Sequence, residues 1–192
     1  RDCPRRACGI MGPMIELDRR HPLALDLRSF GRRAGTMENG EFDVPAPEGI
    51  GTDVMAIAAG SPLHLDLRLE SLVDGVLASG TVTGTATGSC VRCLTELVEE
   101  VDEDFQVLYV WPGGRGPEAE EVDPETQEDV RELDGDLLDL EPAVRDAVVP
   151  GFPFQPVCTP DCPGLCDRCG ARLADDPDHE HDEIDPRWAA LQ

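Results

Sequence analysis

The chain has 192 residues, of which 40% are hydrophobic and 4% aromatic, enough for one domain with a core of Leu, Val and Ala, alone or with a small appended module, and too apolar for full disorder. Sixteen arginines and no lysine stand against forty acids, and a net charge of -24 disfavours direct contact with phosphate backbones unless the arginines gather in one patch. No apolar run reaches the roughly 20 residues that span a bilayer, and no apolar leader core opens the sequence, so the expectation is a cytoplasmic protein without a membrane partner.

Residues 1–20 show neither helical nor strand periodicity and are expected to be a disordered extension, Cys3 and Cys8 included. A sheet domain is expected over 21–157. It begins with a short extended or helical element, a Gly-rich turn and an edge-type segment ending at Pro45 and Pro47. Leu63, Leu65, Leu67 and Leu69 then alternate with His64, Asp66, Arg68 and Glu70, the period of a half-buried strand. Asp74-Gly75 signals a hairpin turn into a second strand over 76–87, where Gly80 and Gly84 mark bulges or close backbone approach. A third strand over 97–110 completes an antiparallel meander, with Cys90 and Cys93 at the turn before it.

Residues 112–139 read as an acidic loop; 118–141 holds twelve acids and a single base, Arg131. Such a run is either a solvated insertion or a surface for a cationic partner. LEPAVRDAVV at 140–149 predicts a short helix, with Pro142 tolerated in its first turn and Val144, Ala147 and Val148 packing on the sheet. The fold class expected is therefore α+β: an antiparallel sheet core, a short packed helix and a zinc-binding segment over 158–192.

That last segment poses the chemical question. Cys90-Val91-Arg92-Cys93 and Cys166-Asp167-Arg168-Cys169-Gly170 are Cys-x2-Cys turns, which present two thiolates to one ion; each Arg is placed to offset thiolate charge, and Gly170 permits a positive φ. With Cys158, Cys162, His179 and His181 they make eight candidate ligands, enough for two closed zinc sites. One partition joins Cys90 and Cys93 to Cys158 and Cys162 and leaves Cys166, Cys169, His179 and His181 as a local site; the other pairs the two Cys-x2-Cys turns. Short loop closure favours the first, and a single ion with free cysteines stays open. The competing readings are a redox pair, which wants its first thiolate at a helix N-terminus, and a solvated acidic run around DDPDHEHDE. His21 and His64 stand alone without a ligand case. No nucleophile and base arrangement or phosphate loop is found, so no catalytic residue is assigned and no enzyme is expected.

The order SPLHLDLRLESLVDGVLASGTVTGTATGSCVRCL, EPAVRDAVVPGFPFQPVC, DCPGLCDRCGARL and IDPRWAAL resembles the YceD family, named for large ribosomal RNA subunit accumulation. The resemblance implies a role in accumulation of 23S rRNA and assembly of the large subunit, and carries Cys90 and Cys93 as the family's characteristic pair. Some relatives have Cys-x-Cys where this chain has His179-Glu180-His181, implying replacement ligands; others lack much of this cluster, implying structural reinforcement. Given the charge, the partner expected is a basic ribosomal protein or pre-50S particle, met by the acidic run as a phosphate mimic. The alternative is a zinc-stabilised interaction or regulatory module unconnected to ribosomes.

Overall fold

A computed structural model describes residues 16–17, 21–113 and 130–181. The chain runs β1 (Glu16–Leu17), β2 (Ala24–Asp26), β3 (Met37–Pro45), β4 (Met55–Ala56), β5 (Pro62–Ser71), β6 (Gly75–Ser89), β7 (Glu96–Val110), β8 (Val130–Glu132), β9 (Leu137–Asp139) and α1 (Glu141–Gly151). The described residues are mostly sheet with one short helix. The larger sheet has the order β3-β5-β6-β7-β8 with β4 also on β6, and the smaller one β1-β2-β9. All pairings are antiparallel except β7 with β8, which is parallel.

The alternation in β5 is what fixes its face: Leu63, Leu65, Leu67 and Leu69 are each fully buried while the residues between them stay on the polar side. Burying each such side chain contributes about 1.5–3 kcal/mol, which specifies the register, since a one-residue slip would turn all four outward. Small and large residues interlock across the sheet. The row Gly40, Leu67, Gly80, Phe105 crosses four strands, so Leu67 lies between two glycines. Of the two readings of Gly80 and Gly84, close approach holds: pairing of β6 with β7 runs without a bulge from Gly75↔Val110 to Ser89↔Glu96.

One apolar cluster joins Leu25 and Leu138 of the small sheet, the β5 leucines, Val101, Phe105 and Tyr109 of β7, and Ala143, Val144 and Val148 of the helix. The small sheet and α1 thus share one core with the inner face of the large sheet. Tyr109 donates its hydroxyl to the Asp139 carbonyl at 2.6 Å, tying β7 to the end of β9. Asp139 Oδ1, one residue ahead of the N-cap Leu140, accepts from the Glu141 N–H at 2.9 Å; Ala147 is partly buried against the core, as its spacing from Val144 requires.

Three departures from the sequence reading have local causes. Glu16 and Leu17, inside the segment expected to be a disordered extension, pair with β2, while the rest of 1–20 except these two lies outside the described residues. The span 112–139, expected to be one acidic loop, contains β8 and β9. There Leu133 and Leu138 are buried, and these apolar positions among the acids draw the backbone onto the two sheets. Residues 114–129 of that span lie outside the described ones. The helix continues two residues past its expected end, through Pro150, and stops at Phe152, which is extended.

Candidate metal centres

β6 and β7 are the longest strands, and the turn joining them is Cys90 to Thr95. Two backbone bonds shape it: Leu94 N–H donates to Cys90 O at 2.9 Å, and Cys90 N–H to Thr95 O at 2.8 Å. The second Cys-x2-Cys turn repeats them. Gly170 N–H donates to Cys166 O at 2.9 Å, and Cys166 N–H to Ala171 O at 2.8 Å. In both turns the residue after the second Cys has a left-handed backbone, Leu94 at φ 58° and Gly170 at φ 72°. The positive φ expected at Gly170 is thus present, but its counterpart in the first turn falls on a branched side chain.

Leu94 is 65% exposed, so little burial offsets its strained backbone. Replacing Leu94 with glycine is expected to raise the unfolding free energy of the metal-loaded protein by about 1 kcal/mol. Urea unfolding with an unchanged slope checks this; an unchanged or lower midpoint would show that the turn carries no strain.

The chain returns to this turn after the helix. Val91 N–H donates to Pro156 O at 2.9 Å, and the Arg92 guanidinium to Cys162 O at 3.0 Å. Arg92 therefore clamps the C-terminal loop to the β6-β7 turn through its carbonyls. Gly164 at φ 83° passes so close that a Cβ there would lie 3.2 Å from Arg92 O. The result places Cys90 Sγ 3.9 Å from Cys162 Sγ and Cys93 Sγ 3.6 Å from Cys158 Sγ, with all four sulfurs within 4.8 Å of one another. Cys90, Cys93 and Cys162 are buried and form a small cluster with Leu97, Val157 and Leu165.

The local environment prepares these thiols for a cation. Burial, the largest single influence on Cys90, pushes its pKa up, but N–H groups of Cys158, Cys93 and Arg92 outweigh it and bring it down to about 6. The Thr95 hydroxyl and N–H lower Cys93. Burial pushes Cys162 up to about 12, with the neighbouring sulfurs adding to the effect. N–H groups that favour the thiolate of Cys90 and Cys93 favour the form in which cysteine ligates a metal ion.

The second group joins Cys166 and Cys169 to the two histidines. His181 Nε2 lies 3.2 Å from Cys166 Sγ, His179 Nε2 lies 3.2 Å from Cys169 Sγ, and the two Nε2 atoms are 3.0 Å apart. N–H groups of Cys169 and Arg168 bring the Cys166 thiol down to about 6. His179 turns its other nitrogen, Nδ1, toward Asp176 Oδ2 at 3.5 Å.

Tetrahedral zinc with sulfur at about 2.3 Å sets sulfurs about 3.8 Å apart. The observed separations of 3.9 and 3.6 Å fit that shape. Both groups can hold a metal ion, each with four protein donors. All eight sequence-derived candidates fall into these two groups, in the first of the two partitions. Cys90 follows a strand and precedes another, not a helix, as the redox reading would need. His64 instead meets Asp43 on the polar sheet face at 3.0 Å. Sequence reasoning missed Thr95 and Asp176. An Asp three residues before a ligand histidine was the available signal, hidden within an acidic run.

The family model described as "Large ribosomal RNA subunit accumulation protein YceD" matches residues 78–192, from within β6 through both cysteine turns. A Mycobacterium tuberculosis protein described as uncharacterized is 41% identical over 180 residues, covering 94% of this chain and 84% of its own length; one of Mycobacterium bovis matches to the same extent. Another, from Mycobacterium leprae, is 40% identical over 170 residues, covering 88% of this chain and 76% of itself. No solved structure matches the chain. Since the matched segment contains all eight clustered donors and the element that joins them to the sheet, this chain belongs to the YceD family, that of the large ribosomal RNA subunit accumulation protein.

Proposed function

We propose that this protein is a non-enzymatic, zinc-binding factor of large ribosomal subunit biogenesis, which supports 23S rRNA accumulation in the cytoplasm by engaging a basic ribosomal protein. Family membership is the observation that carries the reading. The chemistry of the two donor groups supports a structural rather than catalytic ion. Four protein ligands close a tetrahedron and leave no position for an activated water, and thiolate-rich sets with imidazole suit zinc. Among the described residues no helix is long and apolar enough to cross a membrane.

The net charge of -24 favours a cationic protein over naked rRNA as first contact, because opposite fields speed encounter and like fields oppose it. Binding of that kind weakens with salt, since exposed charges are screened over about 8 Å at physiological ionic strength.

The test is a deletion strain profiled for ribosomal particles. The expected result is a deficit of free large subunits and of 23S rRNA, restored by the wild-type gene. Normal subunit ratios and rRNA levels would overturn the proposal in favour of an interaction module unconnected to ribosomes.

A further inference from the structure

Among the described residues, strand β7 has a neighbour on one side for its whole length and on the other for only its last residues. β6 pairs with all of Glu96–Val110, whereas β8 reaches only Leu108, Tyr109 and Val110. The direction of each peptide group follows from these pairings. Val110 O accepts from Leu133 N–H at 3.0 Å, on the β8 side, while Trp111 N–H donates to Asp74 O on the β6 side. In an unbulged strand the direction alternates, so Val98, Glu100, Asp102, Asp104 and Gln106 turn their N–H and C=O groups away from β6. No backbone bond to these groups is found among the described residues.

A groove runs beside this open edge. A cavity of about 200 Å³ lies between residues 104–107 and Ala143 and Ala147 of α1, and a second of about 150 Å³ between Val101 and Glu103 on the strand and Val148, Phe152 and Pro153 at the helix end. An edge strand flanked by a helix is the arrangement to which an extended peptide adds as a further strand.

The charge of the groove selects the peptide. Glu99, Glu100, Asp102, Glu103 and Asp104 lie along the strand, and the last turn of α1 contains no basic residue to complement its C-terminal dipole. Arg131, the cation at the groove's upper end, is already ion-paired with Asp146 at 2.5 Å. A second copy of this edge, or the chain's own acidic residues 118–129, would set acid against acid across the new pairing.

We propose that the open edge of β7, beside α1, is a strand-addition site for an extended basic segment of a partner protein. It deepens the proposed function and rests on its basic partner, locating that partner on the sheet edge rather than on the acidic run alone.

The experiment uses the full metal-loaded chain and an eight-residue peptide of alternating Arg and Val, followed by amide NMR and isothermal titration. Amides of Glu100, Asp102, Asp104 and Gln106 are expected to exchange freely in the protein alone and to become protected when the peptide is added. N-methylating the peptide at every residue keeps its charge but removes its backbone donors on both edges, and is expected to weaken binding at least about tenfold. The exposed pair Glu100→Lys and Asp102→Lys is expected to weaken it by about as much, with the fold unchanged in the same spectra.

Equal affinity for the N-methylated peptide, shifts confined to residues outside β7 and α1, or edge amides already protected before peptide is added would each overturn the proposal, the last by showing that the chain covers its own edge. Because the readout is at the edge itself, a deletion strain with normal ribosomes and an edge that takes up the peptide would defeat the ribosomal role and leave the strand-addition site standing.

Discussion

The paired substitution Cys90→Ser and Cys93→Ser is expected to lower the bound zinc by one ion per chain and to release the segment after the helix while the sheet stays folded. The two apolar clusters explain why the effect divides in this way. Among the described residues the main core draws on both sheets and α1 and includes none of the cysteines, whereas Cys90, Cys93 and Cys162 form a second cluster with Val157 and Leu165, the partly buried Leu97 packing against both. Apart from the donor groups and the packing of Val157, residues 156–164 are held to the β6-β7 turn by the Val91 to Pro156 bond and the carbonyls that Arg92 clamps. An ion bound a thousandfold above its dissociation constant contributes about 4 kcal/mol to such docking, more than those bonds supply. Proteolysis should cut the variant between α1 and Cys166 while circular dichroism retains the sheet signal, and metal analysis should fall from two ions to one. A metal-loaded wild type and a metal-free variant with equal protection of residues 156–165 would remove the claim that zinc ties this segment down.

The same division decides what the sequence could reveal. β5 was legible because four leucines at a period of two have no other stable arrangement beside a polar face, and the cysteine turns were legible because thiol spacing is local. The small sheet was not, since β1, β2 and β9 are two or three residues each and their partners lie more than a hundred residues apart in the case of Leu25 and Leu138. No periodicity accumulates over three residues. β8 and β9 were further masked by composition: acids outnumber apolar residues around them, and only tertiary burial of Leu133 and Leu138 overrides that polarity. At the metal centres, the eight donors were legible one by one, but their grouping depended on the return of the chain past Arg92, a contact set by Gly164 and by carbonyls that carry no sequence signal.

Gly80→Ala and Leu67→Ala are expected to destabilise the sheet without changing its metal content. Leu67 is fully buried between Gly40 and Gly80, so removing three of its carbons leaves a cavity the flat row of backbones cannot collapse to fill, at about 2–5 kcal/mol. A Cβ at residue 80 would lie 2.8 Å from Leu67 Cδ2 and still closer to the Asp66 carbonyl oxygen, so this substitution overpacks the same place, at about 1–3 kcal/mol. The double variant separates the two obstacles. Shortening Leu67 removes one of them, and the combined loss should fall short of the sum by at least about 0.5 kcal/mol. It should nevertheless exceed that of Leu67→Ala alone, because the Asp66 oxygen belongs to the backbone of β5 and moves only with the strand. Denaturant unfolding of all three proteins gives the comparison. Strict additivity would mean that the leucine and the glycine do not share the space, and full rescue would mean that the strands shift apart freely. Zinc content should stay at the wild-type value throughout, since Cys90 and Cys93 sit beyond the end of β6 in a cluster that meets the main core through the partly buried Leu97. Loss of metal in Leu67→Ala would instead make the core and the metal centre one cooperative unit.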